Sequence, residues 1–258
     1  GCTSTTDRSD EEALGQTFDS VCYNYPLHDP DGGPSAIGDG WLCPIEQQFI
    51  TVDGLEFTNV NTGKNGDFVQ YQLEREMNRE KVLHRMTAPT LDIAGDRKTM
   101  MFAAGVSHGC RMTEILNREK PNSAYCLVSK VNPEDNFGFV VDSRDNEARR
   151  HMLRQFDRGE FQFAVNVGCL TEGYDCPSIE VIGCGRPTKS RMLAAQMAGR
   201  GTRVLPNVIE GDGWRLDTPE KRKAAIANSA KPKILILDFV GNSRHSLSSV
   251  TDVLGGVY

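Results

Sequence analysis

Two arginines and a glutamine define the chemistry this chain can offer. Gln196, Arg200 and Arg203 fall in the run Ala195 to Pro206, AQMAGRGTRVLP, with Gly199 and Gly201 thinning the backbone between them. Residues three and four apart share a helix face, so the spacing predicts a helix that converges two guanidiniums beside an amide. Fixed forks of donors suit phosphate oxygens, and what they supply is stabilisation of charge that develops as a phosphoryl group moves. Read alone, the same run is also a solvated helix with two exposed arginines.

The elements that must position these side chains follow from hydrophobic patterning. From Thr99 onward, apolar runs (TMMFAA, SAYCLVS, FQFAVNVGCL, IEVIGCG and KILILDF) alternate with amphipathic stretches. Such alternation predicts an α/β fold, a parallel sheet with helices on both faces. Ligands of such sheets bind along the edge where strands end. Helices are expected over His108 to Asn117 and over Asp145 to Arg158, the latter capped by Ser143. A further helix is expected from a cap at Asp67 through Leu73, Met77 and Met86, and a short one from Thr218 with Pro219 at its first position. Its Lys221, Arg222 and Lys223 read as a solvated face, with contact to a nucleic-acid backbone as the other reading. Upstream, Val21 to Leu27 has strand alternation, His28 to Gly40 is loop, and short strands are expected around turns at Asp53-Gly54 and Asn61 to Gly66.

Bulk properties narrow the function classes. With 258 residues, 38% hydrophobic and 25% charged, the chain has the make-up of a globular protein with a real core. A formal charge of -6 means that any nucleic-acid contact comes from local patches, not from net attraction. No apolar run approaches the roughly 18 residues of a membrane span, no signal peptide opens the chain, and the expected home is the cytoplasm. The eight cysteines never form a C-x-x-C pair and several sit in strand-like runs, so they read as small buried hydrophobes and no metal site is expected.

Four stretches in order carry a resemblance to superfamily 2 helicases, in the branch of type I and III restriction subunits and RadD-like proteins. Ala195 to Pro206 resembles motif VI, Q-x-x-G-R-x-x-R. Cys169 to Pro177, CLTEGYDCP, resembles motif V, Thr99 to Leu116 resembles motif IV, and Gly1 to Arg8, with Thr3, Ser4, Thr5 and Thr6, resembles motif III without its proline and alanine. The link GRPTKSR, Gly185 to Arg191, and the closing ILDFVGNSRH resemble the same branch.

The resemblance implies a second RecA-like domain over 46-258, preceded at 1-45 by a tail of the first domain and a linker, so that the chain begins inside a larger protein. It implies that Arg203 is the arginine finger, with Arg200 a second phosphate contact, Gln196 beside them, and Gly173 and Asp175 on the nucleotide side. Gly105, Ser107, His108, Thr171, Arg186, Thr188 and Lys189 would line a nucleic-acid track, on DNA first and RNA as the alternative. Ser190 is a phosphate contact or a helix cap. ATP and Mg²⁺ would be held mainly by the N-terminal RecA-like domain. The sole Gly-Lys pair, Gly63-Lys64, has neither the glycine nor the Ser/Thr of a P-loop around it. No acidic pair ends an apolar strand, so this chain alone is expected to be inactive. Two rivals stand beside this reading: a non-catalytic module that binds nucleic acid or protein, and a doubly wound metabolic enzyme, which would want a Gly-rich strand-to-helix turn.

Overall fold

The computed structural model describes residues 25, 27–28, 33–63, 67–170, 174–188, 191–210 and 216–241, without the side chains of 191, 192 and 195. The motif III stretch, most of the expected strand at Val21 and the closing Asn242 to His245 lie outside the described residues, as do Thr171, Gly173, Lys189 and Ser190.

The apolar runs form strands β1 (Ile45–Phe49), β2 (Thr99–Ala103), β3 (Ala124–Val128), β4 (Val140–Asp142), β5 (Phe163–Val167), β6 (Val181–Gly185) and β7 (Ile234–Asp238). They make one sheet in the order β1-β7-β6-β2-β5-β3-β4, with every pairing parallel. β2, β6 and β7 are buried at every position, which is why they read as unbroken apolar runs. Side chains alternate between two cores. Met101, Val181, Leu235 and Leu237 face one, shared with helices α1 (Gln70–Met77), α2 (Glu80–Ala94) and α3 (Val106–Glu119). Met100, Phe102, Ile182, Ile234 and Ile236 face the other, with helices α4 (Asn146–Arg158), α5 (Arg191–Gly199) and α6 (Pro219–Ala227). Helices on both faces of a parallel sheet are as expected.

Several local expectations are corrected. The helix from Asp67 starts at Gln70 and breaks into α1 and α2 at Arg79, whose backbone is extended and whose guanidinium donates to the Gly54 carbonyl at 2.8 Å. The residue at the cap position is Val69, and the Asp67 carboxylate accepts from the Phe68 amide and the Thr188 hydroxyl. α4 is capped by Asp145, not Ser143, the carboxylate accepting from the amides of Glu147 and Ala148. In place of two short strands around 53–66 there is a single bridge, Thr62 to Phe68. Thr218 does cap α6, accepting from the Lys221 amide. The surprise on that helix is Arg222, 4% exposed. Its guanidinium lies 3.8 Å from the centroid of the Trp41 ring and donates to the carbonyls of Asp39 and Leu216, so it fastens residues 39–41 to α6 and does not face water.

Candidate functional site

The helix carrying Gln196 stops short of both arginines. α5 ends at Gly199, and the next amides reach back only three residues: Arg200 to Met197, Gly201 to Ala198, Thr202 to Gly199. The tightening has a packing cause. A Cβ on Gly201 would stand 3.0 Å from Ile182 and 3.1 Å from Ile234, so glycine lets the backbone lie close on the start of the sheet without either side chain giving way. The two arginines therefore converge through a turn and not through a shared helix face, which corrects the sequence expectation.

They converge on one dipeptide. Arg200 donates to the Tyr174 carbonyl at 2.5 Å, and Arg203 Nε lies 3.4 Å from Asp175 Oδ1. Tyr174 is fixed in turn by its hydroxyl, which donates to Asp157 at the end of α4. Burial, then the Asp157 carboxylate, pushes that phenol far above its ordinary pKa, so it stays a donor. The Arg203 and Asp175 side chains are 60% and 56% exposed, so the pair is a screened surface contact that contributes little and exchanges readily. Gln196 is half-buried one turn back.

These residues sit where strands begin. Arg203 bridges Leu42, just ahead of β1, and Asp175 precedes β6. The other described candidates sit at the opposite edge, past the ends of neighbouring β2 and β6. Here two carboxylates occupy the loops. Glu74 of α1 accepts from the amides of Ser107 (2.7 Å) and His108 (3.3 Å), meeting the positive N-terminal end of α3. A Cβ on Gly105 would fall 2.4 Å from that carboxyl carbon, so the glycine is what admits it. Asp67 holds Thr188 at 3.2 Å and lies 3.8 Å from Arg186.

His108 departs from expectation. It is fully buried and cannot meet nucleic acid as a surface group. Its Nδ1 accepts from the Ala104 amide at 3.0 Å, and Nε2 has no hydrogen-bond partner among the described residues. Burial pushes its pKa from 6.5 down to about 3. The folded state thus refuses a proton that the unfolded chain accepts below about pH 6.5, so the stability held above that pH drains away as pH falls toward about 3. Urea unfolding of this chain should lose about 2 kcal/mol more between pH 6.5 and 5 than the His108→Gln variant does.

Sequence reasoning named Arg200, Arg203 and Asp175, which the structure brings together, Gln196, which lies one turn back on α5, and Gly105, Ser107, Arg186 and Thr188, which it gathers at the other edge. It missed Tyr174 and Glu74, and assigned Asp67 a different task. Among the described residues no three of His, Cys, Asp and Glu come together as metal ligands, and the six described cysteines are free, Cys169 alone being half-exposed.

No protein-family model matches the chain. It is 24% identical to IRC3 of Saccharomyces cerevisiae, an ATP-dependent helicase by its name, over 99% of this chain and 31% of that protein. It is 28% identical to irc3 of Schizosaccharomyces pombe, named as a mitochondrial ATP-dependent helicase, over 79% of this chain and 30% of that one. The fold matches a fragment of an HsdR subunit of a type I restriction enzyme from Vibrio vulnificus at a TM-score of 0.61 and 18% identity, over 96% of this chain and 40% of that one. The chain is similar to proteins named as ATP-dependent helicases. Its fold is shared with that restriction-subunit fragment. The chain spans about a third of the length of the S. cerevisiae and S. pombe proteins it matches. Among its described residues no helix is long and apolar enough to cross a membrane.

Proposed function

We propose that this chain is the C-terminal domain of an ATP-dependent nucleic-acid translocase and supplies the arginine finger to a nucleotide held elsewhere in the full-length protein. The observation that carries the reading is the pairing of Arg200 and Arg203 with Tyr174 and Asp175 at the strand-start edge. Arg200 is fixed on a backbone carbonyl, whereas Arg203 rests on an exposed carboxylate that a phosphate can replace. That division suits one positioning arginine and one acting arginine. Gln196 stands beside them, and Gly173 joins Asp175 on the nucleotide side.

Residues 1-45 belong with the N-terminal RecA-like domain and its linker, and residues 46-258 with the second domain. The first domain holds ATP and Mg²⁺. The opposite edge, with Gly105, Ser107, Arg186 and Thr188, is the nucleic-acid track, to which the motif resemblance adds Thr171 and Lys189. At the start of α3 the Ser107 and His108 amides are held by Glu74, so a backbone phosphate would take the place of that carboxylate. DNA is the substrate we favour, RNA the alternative, and the cytoplasm the compartment, although the S. pombe relative is named as mitochondrial.

The test compares ATP hydrolysis by the full-length protein and by this chain, each with and without nucleic acid. Turnover by the full-length protein that nucleic acid stimulates, with none from the chain alone, is the expected result, because nothing here positions the β-phosphate, Mg²⁺ or attacking water. Turnover by the isolated chain contradicts the division of labour. Nucleic-acid binding without any turnover in the full-length protein makes the domain an interaction module.

A further inference from the structure

The strand-start edge holds a buried cation that the finger reading leaves unused. Lys231, three residues ahead of β7, is 2% exposed. Its ammonium donates to the Pro177 carbonyl at 2.6 Å and to the Arg203 carbonyl at 2.8 Å. Pro177 lies two residues past Asp175, so one ammonium joins the backbone of the acting arginine to the segment bearing its carboxylate partner. A third strand of chain meets them. Leu42 bridges Arg203, the Cys43 amide donates to the Thr202 carbonyl at 2.7 Å, and the Cys43 thiol lies 3.5 Å from the Arg203 carbonyl oxygen.

A buried ammonium is costly to desolvate, and Lys231 shows the cost, its pKa pushed by burial from 10.5 down to about 8. A group of this kind persists in a core only when its hydrogen bonds are made, and here both acceptors are backbone oxygens of the site. An apolar side chain would fill the same space more cheaply, but it would not tie 177 to 203.

Resting on the arginine-finger reading, we infer that Lys231 is a positioning residue for Arg203, pinning its backbone to Pro177 so that the guanidinium meets the phosphate at a fixed height above Asp175. The linker at Leu42–Cys43 is locked to the same carbonyl, so residues ahead of β1 and the finger move as one body.

Lys231→Met in the full-length protein should lower kcat by about tenfold or more, the scale of a misplacement near 1 Å, with KM for ATP within about twofold. Single-turnover rates in an Arg203→Ala background decide the cause. If Lys231 acts through Arg203, the second substitution adds almost nothing there. Equal fractional losses in both backgrounds overturn the inference, as does an unchanged kcat. Should Lys231→Met fail to fold, Lys231→Gln, whose amide can donate to one carbonyl, replaces it with the same criterion and a smaller expected loss. Failure of both to fold makes Lys231 a fold residue and also overturns it. The finger reading fails separately, if Arg203→Ala alone leaves turnover intact.

Discussion

Arg203→Ala should cut nucleic-acid-stimulated ATP turnover of the full-length protein by about a thousandfold or more, in the range of arginine-finger effects. The affinity for ATP should change by less than about fivefold. The asymmetry follows from where Arg203 sits. Its side chain is 60% exposed and rests on Asp175 at 3.4 Å, so removing it leaves no buried charge unpaired and opens no cavity. The domain should fold as before, and its unfolding free energy should change by less than about 0.5 kcal/mol. All of the loss then falls on the step in which charge develops on the transferred phosphoryl group. Arg200→Ala is a different experiment, since Arg200 holds the Tyr174 carbonyl and its loss frees the segment that carries Asp175. Steady-state kinetics of both variants beside urea unfolding separates the two roles.

The largest stability effect is expected at Phe156. Its ring is fully buried at the end of α4, 5.3 Å from the Phe161 ring, with the Lys98 ammonium 5.3 Å above its centroid. Phe156→Ala removes a ring from a packed core that relaxes only in part, and should cost about 3–5 kcal/mol in urea unfolding of this chain. The effect reaches the site as well. Asp157, the next residue, receives the Tyr174 hydroxyl, and Tyr174 supplies the carbonyl that Arg200 grips. A loss below about 1 kcal/mol would mean that α4 does not anchor this edge.

The sheet was legible because its strands are buried on both faces. Each run from TMMFAA to KILILDF stands out against polar helices, and only the three-residue β4 and the edge strand β1, whose side chains are half-exposed, escaped notice. The pairing of Arg200 and Arg203 was legible as to residues but not as to cause. Helical spacing predicted convergence on one face, whereas close packing of Gly201 on Ile182 and Ile234 ends the helix and brings the arginines together through a turn. What a local pattern cannot show is a long-range polar contact. Glu74 lies 33 residues from Ser107, Asp67 121 from Thr188, and Lys231 28 from Arg203. Arg222 reads as solvated and Lys231 lies in the same polar stretch, yet both are buried, with backbone carbonyls meeting their charges. His108 misled in the opposite sense, since a histidine beside a serine in a loop reads as exposed chemistry while its ring serves the Ala104 amide inside the core.

The central claim is that Arg203 acts on a transferring phosphoryl group, and the most direct measurement compares two affinities of the full-length protein with nucleic acid present. One is for a non-hydrolysable ATP analogue, the ground state; the other is for ADP with aluminium fluoride, which mimics the transferring group. Arg203→Lys keeps the charge and loses the planar fork. It should weaken the aluminium fluoride complex by about a hundredfold or more while leaving the analogue within about fivefold. Equal weakening of both, or of neither, would contradict the account.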